Sequence, residues 1–212
     1  MLDDFLSKNA SAVFALAGAL IGALGALAAT WIQTGREPRF RLREKIMDRR
    51  IAAHEAIIGL SHDLRTMLSL GGVDEDGEVA RAPVMLASKD SFDAFFARFH
   101  ETFSSSSNWL RTDVVREVNL LQDYFVNLNE FLRSVPSPNY ASVGRLIRQD
   151  FTDFSAQLEK LAHRFFTEDL EKLAMSDVGQ WHKYQLEDTK KRLGDTALFV
   201  RREELNEFVV AA

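Results

Sequence analysis

Cysteine is absent from the 212-residue sequence, and its absence excludes several kinds of chemistry at once. A chain without thiols has no disulfide, no thiolate nucleophile and no cysteine-ligated zinc site. Proline and glycine are scarce, at 4 and 11 residues, and 46% of the residues are hydrophobic, so the composition is not that of a disordered chain. We expect one domain with a real core, plus an appendage.

An excess of positive charge is also missing, because 26 Lys and Arg face 31 Asp and Glu. Nucleic-acid binding in general requires clustered basic residues in excess, so no nucleic-acid partner is expected. The sequence contains no P-loop, dinucleotide fingerprint, HExxH or Gly-x-Ser-x-Gly motif, and no Glu-x-x-His repeated on two helices. We therefore predict no catalytic residue, no cofactor and no metal site, and a protein that is not an enzyme.

Charged residues are missing altogether between Asn9 and Gly35. Residues 12–32 read AVFALAGALIGALGALAATWI, about the length that a helix needs to cross a hydrocarbon core of roughly 30 Å. The pattern predicts a transmembrane helix over residues 11–33, after a short extracytoplasmic leader over residues 1–10.

A cleaved signal peptide is the alternative for the same stretch, because residues 26–28 (ALA) offer a small-x-small cleavage site. Signal peptides begin with basic residues, whereas this leader has Asp3 and Asp4 against Lys8. The leader therefore favours an uncleaved helix.

A basic cluster follows the apolar stretch, and basic residues near the end of a span keep that side in the cytoplasm. The N-terminus is therefore expected outside and the body in the cytoplasm of a bacterial cell, with the protein in the inner membrane. The cluster is also expected to contact anionic lipid, so membrane lipid is a predicted partner. The predicted interfacial anchors are Trp31, Arg36, Arg39, Arg41 and Arg43.

Small residues occupy one side of the apolar helix, at positions Gly18, Gly22, Gly25 and Ala29. At 100° per residue the large leucines lie on the opposite side. Small residues at this spacing allow two helix backbones to approach closely, which predicts a homo-oligomer or a partner helix. The alternative is that alanine and glycine are simply common in such segments.

The rest of the chain, residues 34–212, predicts a cytosolic antiparallel bundle of about four to five helices, and the fold class is all-α. Apolar residues recur at helical spacing, and the five phenylalanines between residues 92 and 103 are expected in the core. Gly71 and Gly72 are expected to end the first helix, before an exposed connection over residues 73–89. The helices are predicted at approximately 39–70, 90–104, 108–134, 141–174 and 177–209.

Residues 61–66, with the sequence SHDLRT, resemble the phosphoacceptor box of sensor histidine kinases. The resemblance implies that His62 is a phosphoacceptor assisted by the acidic residue after it. Met67 stands where that family usually has proline, and the chain has no glycine-rich nucleotide lid, no asparagine box and no length for an ATP-binding domain. Autophosphorylation is therefore excluded, which leaves a phosphorelay acceptor or the exposed polar side of a helix.

A broader resemblance covers residues 12 to about 65. One apolar segment, a basic stretch and a helix carrying Arg49, Arg50, Ala53, His54 and Glu55 resemble the start of many uncharacterised bacterial single-pass proteins. The resemblance implies no activity.

Three functional hypotheses follow from these features. The first is a membrane-anchored scaffold that self-associates and binds an unknown protein partner through its helical body. The second is an effector that perturbs the membrane by oligomerising its transmembrane helices. The third is a phosphorelay acceptor that uses His62.

Overall fold

The computed structural model describes residues 10–73, 77, 79–169 and 181–209, without the side chains of residues 10–13, 29 and 32–39. The chain forms two compact units, Met1–Met47 and Asp48–Ala212. Helix α1 (Ala10–Arg65) contributes to both of them. The first unit is helical throughout its described part, and the second contains the remaining helices and a β-hairpin.

The first unit does not provide the transmembrane helix that the sequence predicted. Within the described residues, none of the helices has the length and apolarity needed to cross a membrane. This finding contradicts the single-pass helix over residues 11–33, the inner-membrane location and the orientation built on it. The membrane-perturbing hypothesis rested on the same helix and is not retained.

In the second unit, α1 ends at Arg65, and the chain turns into a β-hairpin of β1 (Met67–Val73) and β2 (Val79–Pro83). The two strands are antiparallel, with Leu68 opposite Ala82. The all-α prediction is therefore wrong, and so is the helix expected up to residue 70.

Two glycines explain why the hairpin was mistaken for the end of a helix. Gly71 and Gly72 have φ angles of 70° and 112°, a region that suits glycine and few other residues. They lie inside β1, where the pairing register shifts between Ser69 and Val73. A glycine pair at a strand irregularity and a glycine pair beyond a helix look alike in sequence.

Helices form most of the remaining second unit. Ser88 caps the first of them, because its hydroxyl oxygen accepts a hydrogen bond from the Ser91 N–H. Where a single helix over residues 141–174 was expected, the backbone of Ile147 (φ −105°, ψ 12°) separates two. The tail forms three short helices. In chain order the helices are α2 (Lys89–Ser106), α3 (Thr112–Leu132), α4 (Tyr140–Leu146), α5 (Arg148–Arg164), α6 (Leu186–Gly194), α7 (Ala197–Val200) and α8 (Arg202–Asn206).

The core of the second unit is rich in aromatic rings. The fully buried Phe125 of α3 has ring neighbours from α2 and α5 at centroid distances of 5.3–6.4 Å. Edge-to-face pairs at such distances add to the free energy of burial. The phenylalanines expected in the core lie there or at its edge: Phe92, Phe95 and Phe99 are buried, and Phe96 and Phe103 pack against them.

Helix α4 packs on the face of β2 that carries the Ala82 side chain. A Cβ atom placed on Gly144 would lie 3.2 Å from the Cβ of Ala82 and 3.1 Å from that of Leu86. A side chain at this position would force its neighbours to shift by a few tenths of an ångström, so Gly144 lets α4 approach β2 closely.

Candidate functional site

His62 lies near the end of α1, beside α5. Its side chain is 50% exposed, and its Nε2 lies 3.7 Å from Glu159 Oε1. The same carboxylate accepts a hydrogen bond from Arg65 Nη1 at 2.6 Å and lies 3.8 Å from His163 Nε2. The one predicted phosphoacceptor is therefore partly exposed and shares a carboxylate with two other basic side chains.

The other residues of the SHDLRT stretch attach α1 to its neighbours. Ser61 is buried, and its carbonyl oxygen accepts a hydrogen bond of 2.6 Å from the Ser155 hydroxyl. On another side of α1, Arg98 donates a hydrogen bond of 2.8 Å to the Asp63 carboxylate. A cleft of about 520 Å³ opens beside this ion pair, with Met85 and Phe95 among its lining residues. The SHDLRT stretch thus connects α1 to α5 and to α2, and a cleft lies beside its contact with α2.

The predicted helix-packing face lies in the first unit. A Cβ atom placed on Gly18, Gly22 or Gly25 would meet no described atom within 4 Å, so this face of α1 is open. The side chain of Ala29, the fourth predicted member, lies outside the described part of the structure. Large apolar side chains in the same segment are 56–82% exposed: Phe14, Leu16, Leu20, Ile21, Leu24, Leu27 and Trp31.

The residues predicted as a basic anchor are only partly described. Trp31 is the most exposed large apolar residue of the segment, and Arg41 and Arg43 are also exposed. The side chains of Arg36 and Arg39 lie outside the described part.

A buried carboxylate that the sequence analysis missed holds the C-terminal segment on the bundle. Glu117 of α3 is 0% exposed, and both of its oxygens accept hydrogen bonds from the Arg192 guanidinium, at 2.7 and 2.9 Å. The Tyr184 hydroxyl donates a third, at 2.9 Å. The hydrogen bonds that Arg192 donates to Glu117 raise the pKa of the Arg192 guanidinium. A bidentate pair of this kind fixes orientation as well as position.

A second buried carboxylate, Asp150, holds the same segment further along. It accepts hydrogen bonds from the backbone N–H groups of Ala197 and Leu198, at 2.6 and 3.0 Å, and from the Tyr124 hydroxyl at 2.9 Å. Burial raises the pKa of Asp150, although these three donors act against the rise. Glu117 and Asp150 both line a cleft of about 370 Å³ next to the segment.

His54 is a buried imidazole with both ring nitrogens engaged. Its Nδ1 lies 2.7 Å from the carbonyl oxygen of Arg50, and the backbone N–H of Arg111 donates to its Nε2 at 3.4 Å. Because a backbone N–H can only donate, we assign the neutral tautomer with its proton on Nδ1. The ring stacks on Phe165 with a centroid distance of 4.1 Å. Burial lowers the pKa of His54 to about 4.

The described side chains include no group of three His, Asp or Glu placed to hold a metal ion. Compared with models of known protein families, with curated proteins and with solved structures, the chain shows no match. The functional argument therefore rests on the residues and their contacts.

Proposed function

We propose that the protein is a helical scaffold that self-associates through residues 14–31 of α1, and that its second unit is the body available to a partner. The observation that carries the proposal is the open face of Gly18, Gly22 and Gly25. The exposed apolar side chains of Phe14 and Ile21 flank this face at 100° per residue. Exposed apolar patches on native proteins mark interaction sites, because their burial contributes a favourable free energy of roughly 25 cal/mol per Å².

A second copy of the same segment is the occupant that the sequence favours. No charged residue lies between Asn9 and Gly35, so two copies can align here without repulsion between like charges. The open face of Gly18, Gly22 and Gly25 allows the two backbones to approach closely. Closer approach makes the van der Waals attraction between the two helices more favourable. A second copy of the chain brings the same uncharged segment and the same glycine face to the contact.

Gly22→Leu is expected to weaken this association. The added side chain would stand on the open face and hold the two backbones apart. The measurement is the mass of the full chain in mild non-ionic detergent, together with the yield of amine-reactive cross-linking at matched concentrations. We expect an oligomer for the wild type and a several-fold lower cross-linked yield for the variant.

Ile21→Leu is the matched control, because it changes a neighbouring residue and keeps its apolar volume. It is expected to retain the wild-type mass. A wild-type chain that is monomeric at every concentration, or one that binds lipid vesicles only as a monomer, would overturn the proposal. A Gly22→Leu variant with unchanged mass and cross-linking would also overturn it.

A phosphorelay acceptor is the second candidate, and the half-exposed position of His62 favours it. In such a step an imidazole nitrogen attacks the phosphorus of a donor, a new N–P bond forms, and the donor's own bond to phosphorus breaks. The Arg65 guanidinium contacts the same Glu159 carboxylate as His62, and its positive charge would offset the negative charge of the added phosphate. The chain itself supplies no kinase domain, so the donor is external.

Phosphoramidate tests this candidate, because it transfers phosphate to exposed histidines and releases ammonia. If His62 is a specific acceptor, the wild-type chain gains acid-labile phosphate mainly at His62, and the His62→Gln variant gains several-fold less. His163→Gln is the matched control, since His163 contacts the same Glu159 carboxylate and is exposed to a similar degree. Equal labelling of the two variants, or no labelling of the wild type, would rule out a specific acceptor at His62.

A further inference from the structure

The outer edge of β1 differs from the outer edge of β2. Among the described residues the sheet has only these two strands, so each strand has one edge that faces no other strand. The β2 strand carries Arg81 and Pro83, and Pro83 has no N–H to offer a further strand. The sequence of β1, MLSLGGV, contains neither a charged residue nor a proline. Free strand edges in native proteins are usually blunted by such residues, and β1 lacks them.

The hydrogen-bond register identifies the backbone groups that face outward. The Val84 N–H donates to the Thr66 carbonyl oxygen at 3.0 Å, so these opposite residues form a hydrogen-bonded pair. Such pairs alternate along an antiparallel ladder. Leu68 therefore bonds toward β2, while the N–H and C=O groups of Met67 and Ser69 point away from it.

We propose that two copies of the chain pair through β1, antiparallel and symmetric about Leu68, to give a sheet in the order β2-β1-β1-β2. The outward groups are self-complementary in this arrangement. Met67 of each copy lies opposite Ser69 of the other, and each such pair exchanges two N–H to C=O hydrogen bonds. Every outward group of Met67 and Ser69 is then satisfied by an identical strand, in the isologous manner of a two-fold dimer.

The side chains suit the same register. Leu68 of one copy meets Leu68 of the other in a non-hydrogen-bonded pair, where side chains come closest. Ser69 is exposed and small enough to leave the pairing unobstructed. This contact rests on the proposed function because it also requires two copies of the chain to associate. It uses none of residues 14–31.

Engineered cysteines test the register directly, because the chain has no cysteine of its own. In the proposed dimer the two Leu68 Cα atoms are about 4.5 Å apart, within the roughly 4.4–6.8 Å that a disulfide spans. Leu68→Cys is therefore expected to give mostly covalent dimer on mild oxidation of the full chain. Ser69→Cys is the matched control, expected to give several-fold less dimer, because the two Ser69 residues are diagonal neighbours.

Ser69→Pro provides a second measurement. It removes an outward N–H and leaves the bonds between β1 and β2 in place, so dimerisation through β1 is expected to be lost while the helical circular dichroism signal is kept. Ser69→Ala retains the N–H and is expected to behave as wild type.

Equal yields from the two cysteine variants, no dimer from Leu68→Cys, or an unchanged dimer in Ser69→Pro would overturn the pairing. The Gly22→Leu, Leu68→Cys double variant separates this contact from that of residues 14–31. Its disulfide is expected to persist even where the oligomer formed by residues 14–31 is lost.

Discussion

Glu117→Ala is expected to lower the free energy of unfolding by about 2–3 kcal/mol. The substitution removes the acceptor of two hydrogen bonds from Arg192 and one from Tyr184, and it leaves a cavity at a position that is 0% exposed. Breaking a fully buried ion pair costs roughly 3–5 kcal/mol. Arg192 is 36% exposed and can turn toward water, so the expected loss is smaller than that range.

The measurement is urea unfolding of the full chain, followed by far-ultraviolet circular dichroism. Glu130→Ala is the matched control on the same helix, because Glu130 and its partner Arg133 are both largely exposed. An exposed pair contributes little, so the control is expected to change stability by less than about 0.5 kcal/mol. Equal effects of the two substitutions would show that the Arg192 contact does not hold the C-terminal segment.

The same variant is expected to loosen the C-terminal segment before the whole unit unfolds. Amide hydrogen exchange in α6 should rise in Glu117→Ala, because α6 then loses the anchor of Arg192, while the Asp150 contacts further along the segment remain. Exchange in the centre of α3 is expected to change much less. Uniform acceleration throughout the second unit would indicate global destabilisation instead.

Apolar periodicity predicts helix α3, but it does not reveal that Glu117 on this helix is buried and paired with Arg192. Residues such as Val114 and Val118 repeat at helical spacing, and this pattern alone indicates a helix near Thr112–Leu132. Glu117 lies between them in sequence, yet its partner Arg192 is 75 positions away. Nothing local distinguishes a carboxylate that will be buried from one on a solvated face.

The sequence contained a weak signal for His54. His54 and Ser61 are seven residues apart and lie next to the Ile57 and Leu64 stripe, and all four are 0% exposed. A heptad spacing of two polar residues beside an apolar stripe indicates buried, hydrogen-bonded side chains as readily as solvated ones. The SHDLRT stretch drew attention to His62, whereas the fully buried histidine lies two turns earlier.

The hairpin and the first unit show where local patterns are insufficient. β1 is short, and its two glycines match the end of a helix as well as a strand irregularity, so only the pairing with β2 distinguishes the two. The apolar segment before Ile32 satisfies the composition of a span, but composition alone does not establish what covers its side chains. For the hairpin, the deciding information is a contact distant in sequence.

Acidification is expected to destabilise the second unit through His54. Burial lowers its pKa from 6.5 to about 4 in the folded protein, with the carbonyl of Arg50 acting in the opposite direction and the charges of Arg50 and Arg111 adding to the decrease. Because the folded pKa is the lower one, the unfolded chain takes up the proton first as the pH falls. Stability is therefore unaffected by His54 above about pH 6.5 and declines between about pH 6.5 and 4, by about 3 kcal/mol in all.

The structural reason is that protonation would place an N–H on Nε2, directly against the N–H of Arg111. The measurement is the free energy of urea unfolding between pH 7 and pH 4, compared with that of His54→Gln, which cannot titrate. We expect the wild type to lose about 3 kcal/mol more than the variant over this interval. The difference isolates His54 from Asp150, whose raised pKa gives a slope of the opposite sign.

His182→Gln controls for the removal of one histidine, because His182 is exposed and lies outside this cluster. Parallel pH profiles of the wild type and His54→Gln would show that the imidazole is not held neutral by burial. In that case its stacking on Phe165 and the tautomer assigned from the Arg111 N–H would not describe the protein in solution. Divergence confined to pH 6.5–4 is the result that the geometry of this site requires.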